Sequence, residues 1–435
     1  MFIVLNGIYA FACAKKNLFI FVSSFFLVLL VQPLFQKMLD SNMYGIHFAD
    51  INFERMKTNI LFPFFLFGLL LVSMKNKYQI TNIPFLICLI FFSSINIIFS
   101  IDIERSLWVS IDAVLSPILF YLLLSTFDRG DYLDESTFIK IFIFIATVFF
   151  TLGFVMYFSV GLQDEVSLYQ RSGGSVFLSN IGTQIAVIFF PLIIFSKNKI
   201  KFNNYIRIML LICYILLLFI AMSRTAFVIY SVIALLSIFT GKRNNKLGLI
   251  LSVVLLVSLV VNLLSIYADI DLVDLLMSRI FMDDQSALSS IEGDERFVLY
   301  NIVVNNLMEN LLTGIGISNF IFINDFAFSN AHNIFLNILI ERGIFIWILF
   351  IYFIYKLITG LNSCSRLNPK LHFFQLLKYG VLGYFAIGLT GNDLFISSGF
   401  VNSWPMYFLI LIYVIQEKNC NQPKRVDLVE TTSMR

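Results

Sequence analysis

Long, unbroken runs of apolar residues are the feature that most constrains how this chain can fold. A helix that crosses a bilayer needs about 20 predominantly apolar residues. Lipid admits only backbones whose polar groups pair internally, which are those of α-helices and closed β-barrels. The runs do not alternate with a period of two residues, as the strands of a barrel would, so they predict helices. The twelve predicted spans are 17–35, 60–74, 83–100, 107–125, 138–160, 181–196, 205–221, 226–240, 247–268, 331–358, 377–394 and 398–416.

The composition supports the same class of protein. Of the 435 residues, 59% are hydrophobic and 13% are charged, whereas soluble domains hold roughly 45–50% apolar and ~25% charged residues. This balance excludes a soluble globular enzyme, a disordered chain and a nucleic-acid binder, so no nucleic-acid partner is expected. We predict an all-α integral membrane protein with about 12 transmembrane helices, in which residues 1–435 form a single polytopic domain.

The loops between the predicted spans alternate in charge, which predicts their sides of the membrane. The positive-inside rule places the lysine-rich loops in the cytoplasm. The other loops then face outward, among them one large loop, residues 269–330, while the tail 417–435 is cytoplasmic. The cytoplasmic set carries Lys15, Lys16, Lys75, Lys77, Lys197, Lys199, Lys201, Lys242, Arg243, Lys246, Arg366, Lys370 and Lys378.

The cysteines give no sign of a disulfide or of a metal site. They are odd in number and lie in predicted spans or cytoplasmic segments, where thiols stay reduced, so we expect no disulfide. No CxxC pair and no His/Cys cluster has the spacing of metal ligands, so no metal is expected. The five are Cys13, Cys88, Cys213, Cys364 and Cys420.

The cations on the predicted outer side are mostly arginines. Topology requires only positive charge, whereas the planar guanidinium group can hold a phosphate through two parallel hydrogen bonds. The arginines therefore indicate an anionic ligand on this side. The alternative is ordinary arginine usage, with side chains that reach from helix ends to the membrane interface. The outer arginines are Arg55, Arg105, Arg171, Arg224, Arg279, Arg296 and Arg342.

A polar segment with two glycines precedes the span 181–196. It contains Arg171, Gly173 and Gly174, and Asn180 stands at the mouth of the span. A glycine pair lets backbone amides approach a ligand closely. A plain turn before a helix is the alternative.

A second polar segment, Ser223-Arg224-Thr225-Ala226, breaks two long apolar runs. The break is too short to carry Arg224 far into water, and an arginine near membrane depth is costly and usually faces a cavity or a partner. We therefore favour a binding role for Arg224, supported by Thr225. The alternative is an arginine that only marks the membrane interface.

The large loop contains a third segment, Asp294-Glu295-Arg296-Phe297. An amphipathic helix is predicted over 296–312, lying on the membrane surface with Arg296 over the bundle, and Gly314-Ile315-Gly316 ends it as a C-cap would. A solvated loop with structural ion pairs is the alternative. The predicted apolar face consists of Phe297, Tyr300, Val303, Val304, Leu307, Leu311 and Leu312.

The fourth segment places a histidine at the outer start of the span 331–358. His332 and Asn333 are followed by Glu341, Arg342 and Gly343. A histidine can act as a general base near neutral pH, and nearby cations favour the neutral form that a base requires. The alternative is a helix-start histidine bonded to a carbonyl group, and His47 is the rival base on the outer side.

At these four segments the sequence resembles the bacterial O-antigen polymerase and O-antigen ligase superfamily over roughly residues 138–360. The first 130 residues carry no motif of that superfamily. The resemblance rests on Arg-Ser-Gly-Gly at 171–174 with Asn180, Ser-Arg-Thr-Ala at 223–226, Asp-Glu-Arg-Phe at 294–297, Gly-Ile-Gly at 314–316 with Phe320, His-Asn at 332–333, Phe335-Leu336 and Glu-Arg-Gly at 341–343.

The resemblance implies a multi-pass glycosyltransferase of the bacterial inner membrane whose active site faces the periplasm. The donor would be a glycan on undecaprenyl diphosphate, with inversion at the anomeric centre and without cofactor or metal. Arg171, Arg224 and Arg296 would bind the diphosphate, and His332 would be the catalytic base. The expected partners are this lipid-linked oligosaccharide, membrane lipid and a chain-length regulator. Supporting roles would fall to Gly173, Gly174, Asn180, Thr225, Asn333, Glu341 and Arg342.

Polymerase and ligase share these motifs and differ in their acceptor. The acceptor of a polymerase is a second lipid-linked repeat unit, and the acceptor of a ligase is the lipid A core. We favour the polymerase because the N-terminal third carries no motif of the superfamily and because the composition is rich in Phe, Ile and Asn. A lipid-linked oligosaccharide flippase is less favoured, because such transporters show repeat symmetry and helices broken by Gly and Pro, and this chain has 8 prolines.

Overall fold

The computed structural model is helical throughout the part of the chain that it describes. It describes residues 17–27, 66, 70, 82–127, 135–160, 180–195, 204–221, 224–240, 295–324, 331–367, 373–389 and 400–420, and no strand occurs among them. The predicted span 247–268, the tail beyond residue 420, Arg171, Gly173, Gly174 and His47 lie outside these residues, as does the predicted span 60–74 apart from Leu66 and Leu70.

Twelve helices are present in these described segments, and most of them overlap predicted spans; within α3, residues Ile111–Leu115 form a π-helical turn. In chain order they are α1 Leu18–Leu27, α2 Ile83–Ile98, α3 Ile103–Ser125, α4 Glu135–Val160, α5 Asn180–Ala186, α6 Phe190–Phe195, α7 Asn204–Ala221, α8 Arg224–Thr240, α9 Glu295–Asn310, α10 Ile334–Leu367, α11 Phe373–Gly388 and α12 Phe400–Cys420.

Three of the described helices are long and apolar enough to cross a bilayer. They are α3, the stretch Thr137–Val155 of α4, and α10. Shorter apolar helices, such as α2, accompany them. The all-helical membrane class is therefore supported by these helices, while the total of about twelve spans stays a prediction.

Aromatic side chains fill the core of the bundle. Phe25 of α1, Phe120 of α3 and Tyr407 of α12 meet there, with ring centroids 4.3 Å apart for Phe25 and Phe120 and 5.3 Å from each of these rings to Tyr407. The arrangement combines a stacked pair with edge contacts, the geometries that aromatic rings prefer. Phenylalanine, of which the sequence has 50, thus serves helix packing in this region.

The predicted single span 181–196 is wrong in detail, because two short helices, α5 and α6, replace it. The chain turns at 187–189 between them. Gly380 of α11 approaches the Ile188 backbone so closely that a Cβ atom would overlap it. Arg207 of α7 caps the other end of α6, donating to the carbonyl oxygens of Ile193, at 2.7 Å, and Ile194. Such contacts satisfy the backbone groups that a short helix leaves open.

The expectation that no disulfide forms is also wrong. A disulfide joins Cys364 near the end of α10 to Cys420 at the end of α12, with the two Cα atoms 5.2 Å apart. The expectation rested on the predicted side of the membrane alone. The pairing arises because these two helix ends pack together, which brings two cysteines 56 residues apart to the same depth.

Candidate functional site

Helices α5 and α8 begin at the same end of the bundle. Tyr230 of α8 donates a hydrogen bond to the carbonyl oxygen of Thr183 in α5, at 2.8 Å. Asn180 lies three residues before Thr183, and Arg224 lies six residues before Tyr230, which at about 1.5 Å per residue is roughly 5 and 9 Å along the helix axes. The backbones of Asn180 and Arg224 therefore stand close to one shared contact.

The end of α11 connects this place to α9 and α10. Gly388 lies between Gln184 of α5 and Ile334 at the start of α10, where a Cβ atom would meet their side chains at 2.8 and 3.2 Å. Tyr300 of α9 donates to the carbonyl oxygen of Leu389, at 3.4 Å. The starts of α5, α8, α9 and α10 thus converge, and we call this place the motif end.

His332 immediately precedes α10 in an uncommon backbone conformation. Its φ angle is 52°, a left-handed value that histidine adopts more readily than most residues, and its side chain is half-buried. Asn333 then caps the helix, since its Oδ1 accepts from the amides of Phe335, at 3.0 Å, and Leu336, at 3.2 Å. This is the N-cap arrangement expected of asparagine, and it sets the position of the neighbouring His332.

Behind His332, α10 is broken at Gly343, whose φ and ψ angles are 78° and 172°. In an unbroken helix the amide of Ile344 would donate to the carbonyl of Ile340. Instead it donates to Leu311, at 2.8 Å, and the carbonyl of Ile340 accepts from the amide of Ile315, at 2.9 Å. One bond within the helix is thereby replaced by two bonds to the segment that follows α9.

We call residues 311–316 and 340–344 together the junction. Glycine is required on both sides of it, because the backbones approach too closely for a Cβ atom. A Cβ on Gly314 would overlap the carbonyl of Glu341, and one on Gly343 would overlap the carbonyl of Leu312. Gly314 also has a φ angle of 74°, and its amide donates to Asn310, at 2.8 Å. It therefore ends α9 as predicted.

Asn96 of α2 closes the junction from a part of the chain in which the sequence indicated no function. It is buried, and its Nδ2 donates to the carbonyls of Thr313, at 2.6 Å, and Glu341, at 2.8 Å. The carbonyl of Glu341 also accepts from Gly316, at 2.9 Å. The sequence shows Asn96 as a single asparagine in an apolar run. That pattern marks a polar group in a helix without showing which groups it bonds to.

A second buried polar group links the junction to α3. Asn319 donates to the hydroxyl of Ser106, at 3.2 Å, and to the carbonyl of Ile315, at 3.0 Å. The hydroxyl of Ser106 in turn donates to the carbonyl of Ile317, at 3.3 Å. Buried polar groups that bond in this way hold one arrangement of the backbone, so α2, α3 and α10 together fix the segment 311–320.

Glu341 and Arg342 are both buried in this region rather than displayed on a surface. The carboxylate Oε1 of Glu341 accepts from the amide of Phe320, at 3.3 Å. Arg105 of α3 is buried as well, with its guanidinium 5.5 Å from the centre of the Phe322 ring. Glu341 therefore orients the loop after α9, and Arg105 adds a second buried guanidinium that the sequence-based site did not include.

The residues of the apolar face predicted for α9 differ in exposure, and the buried face has a different centre. Leu299 and Val303 are buried, whereas Phe297, Val304 and Leu312 are exposed. The predicted face combined two helical stripes, one of which packs on the junction. Ile302 and Leu307 pack beside the buried pair.

For most of the remaining predicted site residues, the structure gives the position of the backbone. Arg224 and Arg296 lie in the first turns of α8 and α9, at the motif end, and their side chains lie outside the described part of the structure. Thr225 is half-buried in the first turn of α8. No group of three or more His, Cys, Asp or Glu side chains that could hold a metal ion occurs among the described residues.

These features define a helical membrane protein in which the starts of α5, α8, α9 and α10, with the polar motifs described there, gather at one end of the bundle. The model of the O-antigen ligase family matches residues 209–351. This match confirms the resemblance to the O-antigen polymerase and ligase superfamily predicted from the sequence motifs. Members of the family are glycosyltransferase-like membrane enzymes. No curated protein matches the chain.

Proposed function

We propose that this protein is an inner-membrane O-antigen polymerase. It transfers a glycan from undecaprenyl diphosphate to a second lipid-linked repeat unit on the periplasmic face, with inversion and without a metal. One observation carries the proposal: the family match over 209–351 contains Arg224, Arg296 and His332. The helices that begin beside these three residues meet at the motif end.

The leaving group in this reaction is a lipid diphosphate, on which negative charge grows as the glycosidic bond breaks. Arginine suits that charge because its planar guanidinium can donate two parallel hydrogen bonds to one phosphate. Arg224 and Arg296 stand in the first turns of their helices, where the partial positive charge of the helix N-terminus also favours an anion. Arg171 completes the proposed diphosphate clamp.

His332 is the proposed general base that removes the proton from the acceptor hydroxyl. Two structural features of its surroundings support this role. The residue directly precedes a long helix whose first amides are capped by Asn333, so its backbone is held by a rigid element. Its left-handed φ angle is a conformation of higher energy, and such conformations cluster at functional sites.

The junction supplies the rigidity that positioning catalysis requires. Backbone hydrogen bonds of 2.8–2.9 Å in the junction join the segment that follows α9 to α10. Helix α9 has Arg296 in its first turn, and α10 begins after His332. Groups that are held in place before the reaction need no reorganisation when charge develops. Glu341 and Asn96 serve this proposal as supports of the junction.

The second candidate is an O-antigen ligase, which would transfer the glycan to lipid A core. The description of the matching family favours it directly. The proposed donor, diphosphate clamp and base are the same in both reactions, and only the acceptor differs. Polymerase remains our choice because the N-terminal third of the chain carries no motif of the superfamily and the composition is rich in Phe, Ile and Asn.

Deletion of the gene, followed by electrophoresis of lipopolysaccharide, separates the candidates. A polymerase defect leaves core bearing one repeat unit. A ligase defect leaves bare core while polymer accumulates on the lipid carrier, and a flippase defect leaves bare core without that polymer. Either bare-core result would exclude the polymerase, and normal long chains would exclude all three functions.

A further inference from the structure

A crevice lies far from the motif end, between four helices. Its walls include Leu89 of α2, Ile118 of α3, Phe353 of α10 and Ile410 of α12, and it is a groove partly open to the surroundings, with a cavity volume of about 60 Å³. The lining is almost entirely apolar. Such a groove suits a stretch of a flexible hydrocarbon chain.

The rim of the crevice, in contrast, carries both signs of charge. Lys356 is exposed there, with its ammonium group 5.5 Å from the centre of the Tyr352 ring. On the same rim, Asn82 donates to the hydroxyl of Tyr413, at 2.9 Å, and to the carboxylate of Glu417, at 3.2 Å. A cationic and an anionic group therefore stand at one end of an apolar slot.

The helices beside the crevice also present apolar side chains outward. Ile87 and Phe91 of α2, and Ile348 and Tyr355 of α10, are each more than half exposed. In a helix that crosses a membrane, such a surface faces lipid. A lipid chain thus has direct access to the slot between these two helices.

We propose that the crevice binds one phospholipid whose headgroup carries both a phosphate and an ammonium group, such as phosphatidylethanolamine. Part of one acyl chain lies in the apolar slot. The lipid phosphate contacts Lys356, and the lipid ammonium contacts the carboxylate of Glu417. The position of the rim, at the start of α2, corresponds to the cytoplasmic leaflet in the predicted topology.

The charge pair at the rim selects this headgroup over two competitors. A purely anionic phospholipid would be attracted to the ammonium group of Lys356 but repelled by the carboxylate of Glu417. A polyprenyl diphosphate carries more negative charge and would be repelled more strongly, since like charges at close range are unfavourable. The site is therefore separate from the proposed diphosphate clamp and does not rest on the proposed function.

The test measures the phospholipids that the purified full-length protein retains. The protein is equilibrated in detergent with equal amounts of phosphatidylethanolamine and phosphatidylglycerol, and bound lipid is counted by native mass spectrometry. Leu89→Trp fills the slot, and Lys356→Gln removes the phosphate contact. Wild type should retain one phosphatidylethanolamine. Lys356→Gln should retain roughly tenfold less, the effect of losing a hydrogen bond to a charged group, and Leu89→Trp should retain less than wild type because the acyl chain is excluded from the slot.

Two matched variants control for general effects. Lys140→Gln removes an exposed lysine from α4, and Leu382→Trp enlarges an exposed leucine of α11; both should retain lipid as wild type does. Equal retention of phosphatidylglycerol would overturn the proposal, as would displacement of the bound lipid by a polyprenyl diphosphate. Normal retention in Lys356→Gln, an exposed position that folding tolerates, would also overturn it.

Discussion

The backbone amide of Ile344 donates a hydrogen bond to the carbonyl of Leu311, at 2.8 Å, although Ile344 lies inside a helix. This bond exists because Gly343 turns the chain out of the helical conformation. The displaced carbonyl of Ile340 then accepts from Ile315. A local break in α10 thus becomes the attachment point of the segment that follows α9, the helix that begins with Arg296 in its first turn, and the proposed site depends on it.

Gly343→Ala should destabilise the folded protein strongly. The added Cβ atom overlaps the carbonyl of Leu312, and φ is 78°, a conformation that costs a residue with a side chain about 1–3 kcal/mol. The yield and the thermal unfolding temperature in detergent provide the measurement. Gly360→Ala is the control, because Gly360 lacks the left-handed φ of Gly343 and its Cβ would meet the end of the Gln416 side chain rather than a backbone group. Equal effects in both variants would argue against the junction.

Asn96→Leu should lower both stability and polymer formation. Leucine has the same number and branching of side-chain heavy atoms as asparagine, but it cannot donate to the carbonyls of Thr313 and Glu341. A buried group that loses its partner costs about 1–3 kcal/mol. Thermal unfolding and lipopolysaccharide electrophoresis measure the two effects. The control is Ser94→Ala, an exposed residue of the same helix that bonds only to Ile90, for which we expect wild-type behaviour.

Arg224→Lys should abolish most polymer formation while the protein still reaches the membrane in normal amounts. Lysine keeps the charge and loses the two parallel hydrogen bonds to phosphate. The readouts are lipopolysaccharide electrophoresis and immunoblotting of membranes. Arg366→Lys, at an exposed position near the other end of α10, should remain active. If lysine variants of Arg171, Arg224 and Arg296 all made normal polymer, these arginines would be interfacial anchors.

His332→Asn separates the chemistry of the histidine from its conformation. Asparagine also tolerates the left-handed φ of 52°, so the helix start should persist. It cannot accept the proton, and general base catalysis contributes about 10²–10⁴-fold to the rate. His332→Asn, His332→Ala and His332→Gln should therefore all stop chain growth in cells, at normal protein levels.

His372→Ala and His47→Ala complete that experiment. His372 lies on the predicted cytoplasmic side, and its loss should leave polymer length unchanged. Normal polymer from the His332→Asn variant, or a defect confined to His47→Ala, would make His332 a structural helix-start residue.

The predicted topology places residues 269–330 in the periplasm and the C-terminal tail in the cytoplasm, on the basis of the lysine distribution. A reporter enzyme that is active only in the periplasm should be active when fused near residue 300 and inactive when fused after residue 420. The reverse pattern would move the motif end to the cytoplasm and contradict the proposed site. It would also place the Cys364–Cys420 disulfide on the oxidising side.

The sequence by itself determined the helical class, because an apolar run must satisfy its backbone within its own segment. It also located the end of α9 at Gly314, because capping depends on residues only a few positions apart. The tertiary structure alone decided which distant groups meet. Asn96 bonds to Glu341 across 245 positions, and the buried face of α9 is the one that meets the junction. Such contacts depend on how helices pack, and a hydrophobic pattern specifies that a residue is buried without specifying its neighbours.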